Sequence, residues 1–327
     1  MSAPVRLIVN PSAGGGRAAT VAPAGEDALR RLGVSVERSY TRDLDHAREL
    51  AREAAAAGEV VVAVSGDGMI GAIADCLKDV PDALMGIIPG GRGNDLARVL
   101  GIPDEPSEAA AVIAAGHARA IDVGLVADGS GESRGFVGIA SVGFDSDANR
   151  IANEAPSWLG GLVYLYGALR ALVAWKPARF ELEFDPPGEK ISFTAYSVGA
   201  ANSQCYGGGM RAAPAALLDD GMLEVLVLES VSKLAFLTRI MPKVFSGEHV
   251  KLPGVRTFRV RELAISCDRR FEMYADGDPI GELPVRVRAL QGAVRMLVPP
   301  AGGPHPAFAQ PLPAGGEQRE QGDPRSG

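Results

Sequence analysis

Short apolar runs that stop abruptly at glycine set the pattern of the first third of the chain. Residues 5–9 (VRLIV) end in Asn-Pro-Ser-Ala-Gly-Gly-Gly, residues 60–64 (VVVAV) in Ser-Gly-Asp-Gly, and residues 85–88 (MGII) in Pro-Gly-Gly-Arg-Gly. Continuous β-branched runs bounded by turn residues predict strands buried on both faces. Between them the apolar positions recur with helical period. Residues 18–32 predict a helix broken early by Pro23 and Gly25, and residues 46–57 one that stops at Gly58. Further helices are predicted over 69–77, 94–100 and 107–115, and 34–40 alternates like a half-buried strand. Strands alternating with helices predict a parallel sheet covered on both sides.

The pattern changes after Ile121-Asp122-Val123-Gly124. Strands separated by turns are predicted over 136–142, 180–184, 191–200, 223–228, 258–266 and 285–289, with helices at about 157–175 and 231–245. This half is mainly antiparallel β. The domain boundary is placed near 122, giving an α/β domain over 1–122 and a β-rich domain over 123–298. Residues 299–327 are Pro/Gly-rich without apolar period and predict a disordered tail. No internal repeat is visible.

Composition narrows the reading. Of 327 residues 46% are hydrophobic, enough for a substantial core. The formal net charge of −7 argues against a nucleic-acid partner, so an anionic ligand needs a local cationic site. Cys76, Cys205 and Cys267 are odd in number and widely spaced, which disfavours disulfides and a CxxC-type zinc site and fits a reducing, cytoplasmic location. The first apolar run is too short for a signal peptide. Residues 158–175 (WLGGLVYLYGALRALVAW) carry one charge, Arg170, and sit at the short limit for a membrane span. They read as a helix buried under a sheet, or as one lining an apolar ligand site or touching a membrane surface.

The three glycine junctions are where chemistry is expected. Glycines let successive backbone N–H groups point into one concavity, and a following helix adds its positive end. Asn10 and Ser12 can hydrogen-bond a phosphate or its metal. Asp67 can hold magnesium or a ribose hydroxyl, or be only the Asp of a tight turn. Asn94 or Asp95 can contact a ligand or cap the next helix. None of the loops is a P-loop, because no Gly-Lys-Ser/Thr follows. Three such junctions on one sheet edge suggest a nucleotide phosphate site, since ligands gather at the carboxyl ends of parallel strands.

The set NPSAGGG, SGDGM and PGGRGND resembles the catalytic domain of diacylglycerol-kinase-like lipid kinases, sphingosine kinases and bacterial lipid kinases included. Thr41 with His46-Ala47, Asn202 with YGGGMRAAPAALLDDGMLEV (206–225), and Tyr274-Ala275-Asp276-Gly277-Asp278 continue the likeness in order over about residues 5–298. The resemblance implies a Rossmann-like, NAD-kinase-like nucleotide-binding domain and a C-terminal antiparallel β-sandwich, with the active site in the cleft between them. The final strand has the option of returning to the first domain. The implied donor is ATP with Mg2+, cradled by Asn10, Ser12, Gly14, Thr41, Gly66, Asp67, Gly68 and Asn94, with Arg92 and Asp278 beside them. Asp276 is the implied general base; by spacing alone, Asp276-Gly277-Asp278-Pro279 reads as a hairpin turn. A structural magnesium is implied on the Leu217 carbonyl, the Asp220 carboxylate and the Met222 carbonyl, with Asp219 an alternative and an ordinary turn the plain reading. Arg17, Arg92, Arg98 and Arg211 are the candidate cations.

Three positions depart from the family pattern. Met69 and Arg92 each stand where a threonine is usual, and Asp278 stands for a glutamate. Arg92 either binds the donor phosphates or fills their place. The expected acceptor is a lipid alcohol, diacylglycerol first, giving phosphatidic acid. Its apolar slot is sought in residues 158–175 and in 234–245, the latter with Lys233, Arg239 and Lys243. Peripheral contact with the inner membrane and a homodimer are both left open. The alternatives are a catalytically weak lipid- or nucleotide-binding protein of the same fold, and an NAD kinase.

Overall fold

The computed structural model describes residues 3–129, 131–144, 146, 151, 170–172, 175–185 and 188–300. The expected helix over 157–175 therefore lies outside the described residues, apart from the helical Arg170–Leu172 and from Trp175, as does the tail from residue 301.

The N-terminal half forms a parallel sheet. β1 (Val5–Val9), β2 (Val36–Tyr40), β3 (Val60–Ser65) and β4 (Leu84–Pro89) lie in the order β4-β3-β1-β2. Every residue of β3 is buried, as its unbroken apolar run requires of a central strand with both faces covered. The covering helices are α1 (Arg17–Arg31), α2 (Leu44–Ala56), α3 (Asp67–Leu77), the short α4 (Asp95–Val99) and α5 (Pro106–Ala115). The break expected at Pro23 and Gly25 is absent, and α1 runs through both. Pro23 is on the exposed face, where water can meet the carbonyl it leaves unpaired. Gly25 is a packing residue: a Cβ there would lie 2.6 Å from Ile88 Cδ1, so its absence lets α1 settle onto the sheet.

The second half is antiparallel and built as a sandwich. It comprises β5 (Ala118–Ala127), β6 (Ser133–Phe136), β7 (Ile139–Gly143), β8 (Ala178–Asp185), β9 (Glu189–Ala201), β10 (Leu223–Glu229), β11 (Val255–Val260), β12 (Glu262–Cys267), β13 (Glu272–Ala275), β14 (Asp278–Glu282) and β15 (Val285–Leu297). Its own core gathers Phe136, Phe180, Leu182, Val225, Leu263 and Val287. Two strands expected as single are divided. Residues 136–142 split at Val137-Gly138, and 258–266 split at Arg261, where β11 stays with β10 while β12 pairs with β8 and β15.

β5 runs through residue 122 and is joined to β15 from Ala118 to Ala127. β15 extends well past the expected 289. Its last residues pair in parallel with β4, Arg295 with Leu84 and Met296 with Met85. Between these stretches its register shifts at Gly292, whose N–H donates to Asp122 Oδ1 at 2.8 Å. A third, aromatic cluster holds the helical segment after β10. Phe236 stacks on Tyr196 at 5.6 Å and meets Phe144 edge-on at 5.1 Å.

Candidate active site

The three glycine loops end three adjacent strands, and they touch backbone to backbone. A Cβ on Gly14 would fall 2.4 Å from the Gly90 carbonyl oxygen, and one on Gly91 would fall 2.4 Å from Gly66 Cα. Gly14, Gly15 and Gly16 are consecutively left-handed, with φ of 63°, 71° and 99°. The second loop is shorter than a turn reading supposes: Gly66 precedes α3, and Asp67 and Gly68 already belong to its first turn.

These loops form one wall of a cleft of about 430 Å³. The second half supplies the other wall: Val137-Gly138-Ile139, Cys205 to Gly208, and the hairpin Asp276-Gly277-Asp278. Of the expected donor-binding residues, Asn10, Gly14, Gly66, Asp67, Gly68, Arg92 and Asp278 line it. Ser12, Thr41 and Asn94 do not. Ser12 donates through both N and Oγ to Asn10 Oδ1, at 3.1 and 2.8 Å. Thr41 is buried, its N–H bonded to the Val9 carbonyl at 2.8 Å. Asn94 is buried and braces the third loop, accepting from Gly91 N at 2.8 Å while its amide donates to the Gly91 carbonyl at 3.3 Å.

Asp276 sits at the tip of the β13–β14 hairpin. Asp276 and Gly277 have φ of 52° and 98°, both left-handed, as a two-residue hairpin turn requires. Its carboxylate is clamped: Oδ2 accepts from Val137 N and Oδ1 from Gly138 N, each at 2.9 Å. The break between β6 and β7 is what frees those two N–H groups. Asn202 fixes the break from behind, donating through Nδ2 to the Val137 carbonyl at 3.1 Å. The backbone N–H groups of Asn202 and Ser203 both reach the Gly138 carbonyl. Two glycines make room for the carboxylate. A Cβ on Gly71 would lie 2.5 Å from Oδ2, and one on Gly138 would lie 2.3 Å from Oδ1. One turn earlier on α3, Gly68 stands against Asp278 Oδ2 in the same way, at 3.0 Å.

Burial pushes the pKa of Asp276 up to about 7, helped by the charges of Asp67 and Asp278 and opposed by its two backbone hydrogen bonds. A carboxylate with that pKa can take a proton from an alcohol near neutral pH. Asp95 is pushed to about 6, by burial first and then by Asp67. It bridges the cleft, accepting from Arg98 at 2.7 Å and from Gly208 N at 2.8 Å. Asp67, whose Oδ1 accepts from Leu96 N at 3.1 Å, is also raised by burial. The cleft thus carries excess negative charge, which suits a divalent cation. Among the described residues no three His, Cys, Asp or Glu side chains form a metal-binding group. Magnesium typically needs only one or two carboxylates when phosphate oxygens and water complete its shell. Asp67, with Asp95 close by, fits that requirement.

The loop expected to hold a structural magnesium lies elsewhere and fits it poorly. Asp220 accepts from Met222 N at 2.9 Å through Oδ1, and its Oδ2 is paired with Arg259. Asp219 is paired with Arg119 at 2.7 Å. A guanidinium already balances each carboxylate, so a metal on Leu217, Asp220 and Met222 would share Asp220 with Arg259.

The candidate cations separate cleanly. Arg17 donates to the carbonyls of Gly91 and Asp104, Arg98 is paired with Asp95, and Arg211 reaches Gln204. Arg92 is exposed at the cleft wall, close to where a Gly15 side chain would project, and forms no hydrogen bond or ion pair among the described residues. Met69 is buried in the N-terminal core and also lines the cleft, so it brings an apolar surface where a threonine would bring a hydroxyl. Sequence reasoning missed the Val137-Gly138 clamp and Gly71 altogether, and saw Asp95 chiefly as a cap. A signal for Gly71 existed in Gly68 and Gly71, three residues apart where the second loop runs into a predicted helix.

Comparison with known proteins agrees with this architecture. The diacylglycerol kinase catalytic domain model matches residues 4–126, and the YegS C-terminal NAD kinase beta sandwich-like domain matches 138–298. A diacylglycerol kinase from Mycobacterium tuberculosis is 34% identical, over 91% of this chain and 96% of that protein. A probable lipid kinase YegS-like from Stenotrophomonas maltophilia is 33% identical, over 84% and 93%. Among solved structures, a putative diacylglycerol kinase from Bacillus anthracis superposes with a TM-score of 0.74 at 25% identity, covering 91% of this chain and 98% of that one.

Proposed function

Because this chain belongs to the diacylglycerol kinase family of lipid kinases, we propose that it transfers the γ-phosphoryl group of ATP to a lipid alcohol, diacylglycerol foremost, giving phosphatidic acid. The observation that carries the reading is the clamped Asp276 carboxylate, with a pKa of about 7, facing the glycine loops across one cleft. The loops of β1, β3 and β4 offer backbone N–H groups to the donor phosphates, and the residues that line the cleft beside them are Asn10, Gly14, Gly66, Asp67 and Gly68. Ser12 and Asn94 support this wall from behind. Asp276 accepts the proton of the acceptor hydroxyl as the new bond to phosphorus forms and the bond to the leaving phosphate breaks. Magnesium, when bound at Asp67, neutralises phosphate charge.

Radiolabelled ATP offered with diacylglycerol, phosphatidylglycerol and sphingosine in mixed micelles tests the proposal. Labelled phosphatidic acid is expected. Folded protein that labels none of the three lipids would overturn it.

Arg92 is assigned to the donor phosphates, where a guanidinium with no partner among the described residues supplies the charge that the missing threonine does not. Arg92→Ala is expected to weaken Mg-ATP binding by about tenfold or more, the worth of one charge-assisted hydrogen bond. Calorimetry reads this directly. Tighter binding by the variant would show instead that Arg92 fills the phosphate site.

A further inference from the structure

The helical stretch after β10 has two apolar sides, and only one is buried. It runs through Lys233–Ala235, Phe236–Ile240 and Met241–Val244. Phe236 and Ile240, four residues apart, are 3% and 4% exposed and pack on Phe144 and Tyr196. Leu234, Leu237 and Phe245 face outward at 71%, 38% and 60% exposure. They account for three of the six exposed large hydrophobic side chains among the described residues, gathered within one short segment. Such a cluster on a protein surface marks an interaction site.

Charge identifies the partner. Between Glu229 and Glu248 the chain has no acidic residue, and it carries Lys233, Arg239 and Lys243, all exposed. This basic island stands on a chain of net charge −7. Apolar side chains ringed by basic ones match the acyl boundary and headgroups of an anionic bilayer. The segment also abuts the cleft. The Val244 carbonyl accepts from Arg211 N at 3.0 Å, and the turn from Tyr206 to Met210 just before Arg211 supplies Tyr206, Gly207 and Gly208 to the cleft wall.

We propose that Leu234, Leu237 and Phe245, with Arg239 and Lys243, form the surface by which the protein docks on an anionic phospholipid bilayer. The proposal rests on the lipid-kinase reading only in that docking there would set the cleft beside the membrane holding the acceptor. Binding itself is measured without turnover.

The test is co-sedimentation of the full chain with phosphatidylcholine vesicles, with and without phosphatidylglycerol. Two double variants are compared, Leu234→Ser with Phe245→Ser, and Arg239→Gln with Lys243→Gln. Wild type should bind the anionic vesicles and release at high salt. The charge variant should bind about thirtyfold more weakly, at about fivefold per basic side chain. The apolar variant should lose binding even at low salt. Both should keep the wild-type circular dichroism spectrum and melting temperature, which shows that they fold. Equal binding to neutral and anionic vesicles, no binding to either, or wild-type binding by both variants would overturn the proposal. So would light scattering that shows these side chains buried in a dimer of the chain. Absence of turnover by every form, with anionic binding intact, would sink the kinase reading and leave the docking surface standing.

Discussion

Asp276→Asn is expected to lower kcat by about 10²–10⁴, the usual contribution of a positioned general base, while Mg-ATP binding persists. The substitution keeps the side-chain shape at the hairpin tip and removes the ability to accept a proton. The wild-type pH profile carries a second, independent reading of the same group. With its pKa raised to about 7, Asp276 is protonated below that pH and cannot act as base. Activity should therefore rise with pH through about 7 and level off above it. Because kcat/KM reports the free protein, that parameter should show the limb most directly. An unperturbed carboxylate would place the limb near pH 4 instead. Unchanged turnover by the asparagine variant would remove Asp276 from the mechanism.

Gly71→Ala should lower kcat by roughly a hundredfold, the cost of moving a reacting group by about 1 Å. The glycine is in ordinary helical conformation within α3, so alanine meets no backbone strain and suits a helix better by up to about 1 kcal/mol. Its Cβ, however, would sit 2.5 Å from Asp276 Oδ2. Real atoms cannot share that space, so the carboxylate must leave its clamp on Val137 and Gly138. The expected signature is a fall in kcat with little change in KM for ATP, because the glycine loops are untouched. Steady-state kinetics on the purified variant separate the two parameters. Full kcat would mean that the base tolerates displacement, and the clamp would lose its proposed importance.

The parts of this architecture that could be read from sequence are those written in short stretches. A β-branched run meeting glycine and then a helical period is a local pattern, so the three loops and their common sheet edge followed from it. The Asp276 hairpin is also local, which is why spacing alone favoured a turn. It is a turn, and the carboxylate at its tip acquires a raised pKa only from what folds around it. What sequence did not reveal depends on contacts between distant residues. Nothing near Val137-Gly138 marks a strand break, since its purpose is to point two N–H groups at a residue in another hairpin. Arg17, Arg92 and Arg98 look alike as letters. They differ because Asp95 and the Gly91 and Asp104 carbonyls engage two of them and leave Arg92 without a partner among the described residues. The same holds for Asp220, whose fit to magnesium is decided by Arg259 reaching it from β11.

The return of β15 to β4 sets an order of events during synthesis. The first four strands and their helices leave the ribosome early, and their apolar runs can collapse at once. Yet the β4 edge stays open, with Leu84 and Met85 lacking the neighbours that arrive only at Arg295 and Met296. An open, apolar sheet edge is a template for wrong pairing. The nascent chain must carry that edge until β15 is made, so the strand that seals the first sheet is the last one among the described residues.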